Sequence, residues 1–405
     1  MGALAPFIAA DLGLNRAQVG MMGSMINFGI LFTALVMGRA ADLWGERLVL
    51  TIGGLMAGLS IMVASRAGSF STLIALLLFT GLWVAASTPA GGKAILSWFP
   101  VKQSGFALGI RQTGIPLGGA LSALMLPSLA AAYGWREAMV AGGFIAIFGA
   151  LVCFTAYRDS PALSRAERLT PSPNEELPPS RVRGLTPARA EEKERSRPSY
   201  EPVGSLSDVL RIPAIWLASL AGVTLVGVQF TMVNHLEVFL NERLSISIRT
   251  ASYFLVAFQL AGVIGRIILG TVSDTLFRGA RKPVMLIASV MTIGTSLAML
   301  RLTPVTPLWV LAVVSWFAGF SAAGWNGIYV ALVSELVGKD RAGTALGVGI
   351  TLLQLGTLAI PTMFGYLADR TGSYGDSWVF LAFLVFLGAV LLTFVREKPK
   401  LWPSA

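Results

Sequence analysis

Long apolar runs alternate with short polar segments along almost the whole chain. Because a helix of about 20 apolar residues crosses a bilayer, each long run predicts one membrane-spanning helix. A shorter apolar run at residues 1–10 predicts the second half of a further helix, or else a free extracytoplasmic tail. The predicted spans are the eleven runs 17–38, 48–65, 67–92, 112–135, 138–157, 212–236, 250–273, 283–300, 302–334, 342–368 and 377–395. The pattern therefore predicts an all-α membrane protein.

One segment interrupts this pattern. Residues 158–207 mix Pro, Arg, Glu and Ser without an apolar period. Such a composition cannot bury enough apolar surface to offset the entropy cost of ordering the chain. We expect a disordered cytoplasmic linker here, between an N-terminal helix bundle at 1–157 and a C-terminal helix bundle at 208–395. The last residues, 396–405, are expected to form a cytoplasmic tail.

Short sequence repeats connect the two predicted bundles. GRAAD at 38–42 matches GTVSD at 270–274, and GFALG at 105–109 matches GTALG at 343–347. Two matches in the same order, nearly in register, indicate duplication of a six-helix unit. Internal repeats of this kind are typical of secondary transporters, whose substrate site lies near the bilayer midplane between the halves.

Composition and charge agree with a membrane protein. Of all residues, 55% are hydrophobic and 13% are charged, and the mean hydropathy is +0.71; soluble domains have about 25% charged residues. The net charge of +10 does not indicate a nucleic-acid partner, because Lys and Arg lie between the apolar runs. An excess of Lys and Arg marks cytoplasmic loops, which places the 38–47 turn and the C-terminus on the cytoplasmic side.

Enzymatic functions find no support in the sequence. It contains no cluster of metal ligands, no Walker-type loop and no soluble segment large enough for catalysis. A single cysteine, Cys153, excludes an internal disulfide. We therefore expect no cofactor and no metal, and transport driven by a gradient of a solute or an ion.

The charged turn GRAADLWGER at 38–47 resembles the G-x-x-x-D-x-x-G-R turn between helices 2 and 3 of the major facilitator superfamily. GTVSD begins the same turn between helices 8 and 9. The resemblance implies two six-helix bundles related by a pseudo-two-fold axis, with the first helix incomplete. It also implies a cytoplasmic gating latch, in which Asp42 faces a helix N-terminus and a neighbouring arginine. The latch residues are Gly38, Asp42, Gly45, Arg47, Gly270, Asp274 and Arg278.

Arg266 is the first candidate for substrate binding, because a charge inside a membrane is costly and marks function. It lies eight residues before Asp274, or about 12 Å along a helix. A guanidinium group binds a carboxylate through two parallel hydrogen bonds. The position resembles the cavity arginine of organic-anion members of the superfamily, such as oxalate/formate antiporters and cyanate/nitrite transporters. A structural arginine bonded to backbone carbonyls is the alternative.

Other polar residues in or near the spans complete the predicted substrate site. Lys93, Arg111 and Gln112 are expected to form the N-bundle half of an anion site facing Arg266, unless the two cations extend to the membrane interface. The run 342–368 lacks the lysine that several carboxylate carriers have there. The remaining candidates are His235, Asn234, Asn326 and Gln354.

These residues predict a secondary active transporter of a small organic anion in the plasma membrane, which is the inner membrane if the cell is bacterial. The predicted intramembrane cations outnumber the acids, and this excess favours an anion. A proton-coupled drug exporter and a non-transporting solute sensor remain as alternatives. The expected partners are an anionic small molecule, a coupling proton and the lipid bilayer, with the protein as a monomer.

Overall fold

The computed structural model describes residues 4–14, 16–158 and 206–397. Most of the predicted linker and tail lie outside these ranges. The described residues form no β-strand. Their helices are α1 (Ala5–Leu12), α2 (Arg16–Trp44), α3 (Glu46–Ala64), α4 (Phe70–Val84), α5 (Ser87–Trp98), α6 (Val101–Tyr133), α7 (Trp135–Ala156), α8 (Leu206–Leu210), α9 (Pro213–Leu244), α10 (Ile248–Thr275), α11 (Lys282–Met299), α12 (Leu308–Ala322), α13 (Asn326–Val337), α14 (Ala342–Thr371) and α15 (Tyr374–Thr393), with a short 3-10 helix at Lys339–Arg341.

Ten helical segments within the described residues are long and apolar enough to cross a membrane. In this set α4 and α5 count as one segment, and so do α12 and α13. The remaining predicted run, 112–135, overlaps most of the second part of α6, which is 33 residues long and ends at Tyr133. The predicted all-α membrane fold is thus confirmed, with each predicted span overlapping a helix or a pair of helices.

Two spans that the sequence predicts as continuous are broken. The first break separates α4 from α5 at residues 85–86, and the second separates α12 from α13 at residues 323–325. Pro89 lies in the first turn of α5, where a missing N–H is tolerated because that donor has no partner within the helix. Because the breaks occur at corresponding places in the two halves, they repeat a feature of the duplicated unit.

The same set of helix neighbours occurs in both halves of the chain. In the first half α2 packs on α4 and α3 packs on α7, and in the second half α10 packs on α12 and α11 packs on α15. Between the halves, α2 packs along α14 and α6 packs along α10. Two pairs of helices therefore carry the contact between the halves, and any opening of a central path has to separate them.

Glycine allows the two helix pairs to touch through their backbones at one end. A Cβ added to Gly38 would lie 2.1 Å from the carbonyl oxygen of Gly343, and one added to Gly343 would lie 2.4 Å from that of Gly38. The other pair repeats this contact, with 2.4 Å from a Cβ on Gly270 to the Gly105 oxygen. No side chain fits at these positions, so the halves are closed at the end that carries the charged turns.

The far end of the same interface is open along α6. A Cβ added to Gly114, Gly118 or Gly119 would have no neighbouring atom of the described residues within 4 Å. The side chains of Ile115 and Leu117 between them are exposed as well. Beyond this level α6 is therefore uncovered on the side away from the charged turns, and we call the space beside these positions the vestibule.

Candidate functional site

Asp42, at the end of α2, joins the two halves at the closed end. Its carboxylate accepts hydrogen bonds from the backbone N–H of Gly343 at 3.0 Å and of Thr344 at 2.6 Å, and from the Thr344 hydroxyl. These donors are the first residues of α14, where unpaired N–H groups and the helix dipole favour a negative charge. Asp42 is only 3% exposed. It therefore caps a helix of the opposite half, as the latch hypothesis requires.

Asp274, at the end of α10, makes the matching contact in the other direction. Its carboxylate accepts from the backbone N–H of Gly105 at 3.2 Å and of Phe106 at 2.7 Å, near the start of α6. The two segments that repeat in the sequence, GFALG and GTALG, thus supply the backbone N–H groups that donate to the two aspartates. Sequence reasoning recognised both repeats but not that the members of different repeats contact each other.

The cation beside Asp42 is Lys93 rather than an arginine of the turn. Lys93 Nζ lies 3.2 Å from Asp42 Oδ1 and 3.8 Å from Glu46 Oε1, and it donates to the Ala41 carbonyl at 2.9 Å. Lys93 is 4% exposed and Glu46 is fully buried. Two buried carboxylates need a cation, and α5 supplies it. Lys93 therefore lies in the latch, and not in the substrate site where the sequence interpretation had placed it.

Arg47 occupies a different place from the one expected of a latch arginine. Its Nε donates to the Phe154 carbonyl on α7 at 2.9 Å, and its guanidinium lies 4.6 Å from the centre of the Phe154 ring. These contacts are exposed. Gly45 has a positive φ of 85° between α2 and α3, which glycine adopts without strain. The turn thus uses Gly45 for its geometry, while Arg47 is directed towards α7.

The second latch uses Arg281, although the sequence interpretation named Arg278. The Arg281 guanidinium donates to Asp274, to Glu335 at 3.0 Å and to the Ser104 hydroxyl at 2.7 Å. Arg278 is exposed, with a positive φ of 49° in the turn. Arg281 is fully buried. Because Ser104 belongs to the first half, Arg281 holds the two halves together directly.

The order of charges differs between the two latches. In the second latch the cation, Arg281, precedes α11 and the additional acid, Glu335, lies on α13. In the first latch the additional acid, Glu46, begins α3 and the cation, Lys93, lies on α5. Each cluster contains two carboxylates and one cation, so the charge total is the same while the positions are exchanged.

Replacing Gly38 with alanine should weaken closure of the latch end. The added Cβ meets a backbone carbonyl that cannot rotate away, and overpacking of this kind costs about 1–3 kcal/mol. Such a cost changes the ratio of closed to open molecules by about 5- to 150-fold. The measurement is the alkylation rate of a cysteine placed at Leu108 of α6, which is fully buried in the closed protein. The native cysteine is removed by Cys153→Ser.

Gly118→Ala is the matched control for that experiment, because its Cβ meets no atom within 4 Å among the described residues. We expect Leu108→Cys to react faster in the Gly38→Ala protein and at an unchanged rate in the Gly118→Ala protein. Equal rates in both proteins would show that the contact between Gly38 and Gly343 does not limit opening.

Arg266 lies deeper in the protein, where it connects the two halves. It is 4% exposed, its Nε donates to the Ala323 carbonyl at the α12–α13 break, and its Nη1 donates to the backbone carbonyl of Gln112 on α6 at 2.9 Å. The broken helix frees a carbonyl for this contact. These two bonds use two of the five guanidinium N–H donors, and both acceptors are neutral.

Arg111 lies next to the same glutamine. Its Nη1 donates to the Gln112 side-chain oxygen at 3.0 Å, and its Nη2 donates to the Ser87 carbonyl at the start of α5. The guanidinium lies over Gly91, where an added Cβ would overlap it. Arg111 is partly exposed. Gln112 therefore touches both arginines, one through its side chain and the other through its backbone.

Neither arginine has an acidic partner in the part of the chain that the structure describes. Among the ion pairs within residues 4–14, 16–158 and 206–397, none includes Arg111 or Arg266. Their hydrogen bonds go to carbonyl oxygens and an amide only. Two positively charged side chains are therefore bonded to Gln112, about two to three helical turns from the latch carboxylates, and within the described residues their hydrogen bonds go to neutral groups.

The polar network continues from Arg266 towards α9. Asn326, the first residue of α13, donates to the same Ala323 carbonyl as Arg266 and to the Gln229 side-chain oxygen, both at 3.1 Å. The structure thus joins four of the predicted site residues in one connected set and adds Gln229. The joined residues are Arg111, Gln112, Arg266 and Asn326.

Three other predicted site residues lie elsewhere. Gln354 donates to Asn27 at 3.1 Å across the α2–α14 interface. His235 bonds through Nε2 to the Pro361 carbonyl on α14 at 3.1 Å and packs against Phe364. Asn234 is exposed on α9. These contacts connect α9 and α2 to α14, and none of them reaches either arginine.

A different side chain covers a glycine in each half, at positions that the sequence repeat relates to each other. Arg111 covers Gly91 in the first half, whereas Tyr329 covers Gly349 in the second half, where an added Cβ would lie 2.2 Å from the Tyr329 hydroxyl. The register of the repeats pairs Arg111 with Gly349 and Gly91 with Tyr329. Tyr329 is buried and donates to Ser219 at 3.1 Å. The second half therefore has a buried tyrosine side chain at this place, and the first half has the guanidinium of Arg111.

Comparisons with known proteins give a consistent result. A profile of the family described as Major Facilitator Superfamily matches residues 1–361 and 277–405. The probable sulfoacetate transporter SauU of Cupriavidus necator is 24% identical over 97% of this chain and 88% of its own length. The hexuronate transporter of Bacillus subtilis is 23% identical over 97% of this chain and 89% of its own length.

Solved structures agree on the fold. The proton:xylose symporter XylE, in a structure bound to 6-bromo-6-deoxy-D-glucose, superimposes with a TM-score of 0.73. The match covers 98% of this chain and 90% of that one, at 17% sequence identity. At this identity the likeness concerns the arrangement of helices alone.

Proposed function

The chain belongs to the major facilitator superfamily and is a transporter rather than an enzyme, and on this premise we propose that it carries a small organic anion across the membrane by alternating access. Sulfoacetate and hexuronate, which the names of two relatives give as substrates, are both organic acids. The similarity covers nearly the whole chain, so the substrate region is included in it.

One observation carries the proposal: Arg111 and Arg266 lie between the halves without a carboxylate partner among the described residues. Burying a charge away from water costs several kcal/mol unless an opposite charge compensates it. An anionic substrate provides this compensation when it binds. A cationic drug would be repelled by the same two groups, so the exporter alternative has no comparable support.

The closed latch end and the open vestibule fit one state of the transport cycle. The excess of Lys and Arg favours a cytoplasmic location for the latch end and for the C-terminus. With this orientation the structure is outward-facing, and Arg266 lies at the floor of the vestibule above the closed contacts. Transport then requires α6 to separate from α10 and α2 to separate from α14 at the latch end, which carries the anion inwards.

The test is uptake into proteoliposomes that contain the purified full chain. Labelled sulfoacetate, glucuronate and malonate are offered with and without an inward proton gradient, and protein-free vesicles give the background. We expect at least one organic anion to accumulate above background, and the dependence on the gradient to identify or exclude a coupling proton. Transport of a cationic dye with no transport or binding of any anion would overturn the proposal.

A further inference from the structure

The two arginines come from opposite halves and meet at a single residue. Arg111 belongs to α6 of the first half, and Arg266 belongs to α10 of the second half. Gln112 accepts from both, through its side-chain oxygen at 3.0 Å and its backbone oxygen at 2.9 Å. Gln112 therefore connects one arginine of each half across the plane along which the halves separate.

Packing between the halves does not require these arginines. The α2–α14 pair makes the same close contact as the α6–α10 pair: a Cβ on Gly347 would lie 2.7 Å from the Ala34 oxygen, and a Cβ on Gly109 would lie 2.3 Å from the Arg266 oxygen. The repeat register thus pairs Arg266 with Ala34, which is fully buried. Because an alanine is sufficient for helix packing at the α2–α14 interface, packing does not explain the arginine at the α6–α10 interface.

The charge of this pair exceeds what one carboxylate or one sulfonate group can neutralise. Arg111 and Arg266 contribute two positive charges, and their bonded neighbours Ser87, Gln112 and Ala323 contribute only uncharged oxygen atoms. The nearest carboxylate along α10, Asp274, is eight residues away and bonded to Arg281 and to α6. A substrate with a single negative charge would leave one unpaired cation in a site of low dielectric.

We propose that the substrate is a short dianion with two acid groups, one held by Arg111 and the other by Arg266. This inference rests on the proposed function and gives its substrate class. Carboxylate, sulfonate and phosphate groups all offer the oxygen geometry that a guanidinium fork binds. The second cation of such a diacid site comes from α6 of the opposite half.

A dianion bound in this way also connects substrate recognition to movement. Arg266 Nη1 donates to the Gln112 carbonyl in the closed arrangement. An acid group of the substrate can accept from the guanidinium N–H donors that the Ala323 and Gln112 carbonyls leave unused. A substrate bonded to both arginines then bridges the halves, and both arginines are neutralised while the halves move.

Binding of matched acid pairs to the full chain in detergent tests the inference. The pairs are malonate with propionate, succinate with butyrate, and sulfoacetate with ethanesulfonate, which keep the chain length similar and differ in one acid group. Affinities are measured by calorimetry at neutral pH. We expect the better-bound diacid to exceed its single-acid partner by about tenfold or more, as for close charge pairs at other interfaces.

Arg111→Gln provides the second measurement. Because this variant removes one of the two positive charges, we expect it to lose the tenfold preference for the diacid over its single-acid partner. Arg111→Lys keeps the charge and should retain part of the preference. Preference retained in full by Arg111→Gln would overturn the role of Arg111. A cooperative thermal unfolding transition like that of the wild-type protein shows that each variant is folded.

The results separate the two proposals. Binding of single-acid anions with the same affinity as diacids would overturn the dianion inference and leave the anion transporter intact. Absence of binding and of uptake for every acid in the wild-type protein would overturn the proposed function, and the dianion inference with it. Uptake of a diacid in preference to its single-acid partner supports both proposals.

Discussion

Replacing Arg266 with glutamine should abolish organic-anion uptake while the protein still inserts and folds. The variant removes the positive charge and the fork of N–H donors from a position that is 4% exposed. Loss of one partner from a buried, hydrogen-bonded charge pair costs about 2–5 kcal/mol, or about 30- to 5,000-fold in affinity. Initial uptake rates of the preferred anion in proteoliposomes provide the measurement.

Arg266→Lys and Arg47→Gln are the controls for this experiment. Lysine retains the charge without the planar fork, so the Arg266→Lys protein should keep weak uptake. Arg47 has exposed contacts with α7 at the latch end, and its replacement should not affect anion affinity. Wild-type uptake by Arg266→Gln would show that this arginine only holds the Ala323 and Gln112 carbonyls, as a structural residue does.

The helices were predictable because the bilayer imposes their length and apolar composition locally. Each predicted span overlaps a helix or a pair of helices of the structure, and the repeats GRAAD and GTVSD mark the ends of α2 and α10. The positions of Asp42 and Asp274 at the ends of α2 and α10 were also predictable, since a carboxylate in a short turn between spans follows a recognisable spacing, whereas their latch role stays a prediction. Signals that extend over a few neighbouring residues are thus sufficient for the fold.

Partners that lie far apart in the sequence were not predictable in the same way. Lys93 is 51 residues from Asp42, and nothing in its surrounding sequence shows that α5 brings it to two buried carboxylates. It looked like a member of the substrate site because it is a cation near the end of a span. One signal was available: Glu46 adds a second carboxylate four residues after Asp42, and two buried carboxylates require a cation close to both.

The connection between Arg111 and Arg266 was partly predictable. Both were candidates as intramembrane charges, but the role of Gln112 as their common neighbour depends on the α6–α10 packing. The break between α12 and α13 gave no local warning, although it supplies the Ala323 carbonyl that orients Arg266. His235 and Gln354 looked equally suitable as polar residues within spans, and only the packing shows that they bond to other helices.

Removing the positive charge of Lys93 should be the most damaging change at the latch. Lys93→Met keeps the length of the side chain but leaves the Asp42 and Glu46 carboxylates buried without their cation. Breaking a buried ion pair in this way costs about 3–5 kcal/mol. We expect a lower melting temperature and a large loss of uptake, because the closed state at the latch end depends on these contacts.

Two further variants show whether the loss comes from charge. Arg47→Gln removes the basic residue of the turn that the family motif emphasises, yet its exposed contacts predict a change of no more than about 0.5 kcal/mol. Adding Glu46→Gln to Lys93→Met removes the excess negative charge, so the double variant should recover part of the lost stability, and a double-mutant cycle gives the coupling between the two residues. If Arg47→Gln were the more damaging variant, or if Glu46→Gln gave no recovery, the cation of this latch would be the arginine of the turn and Lys93 would return to the list of substrate ligands.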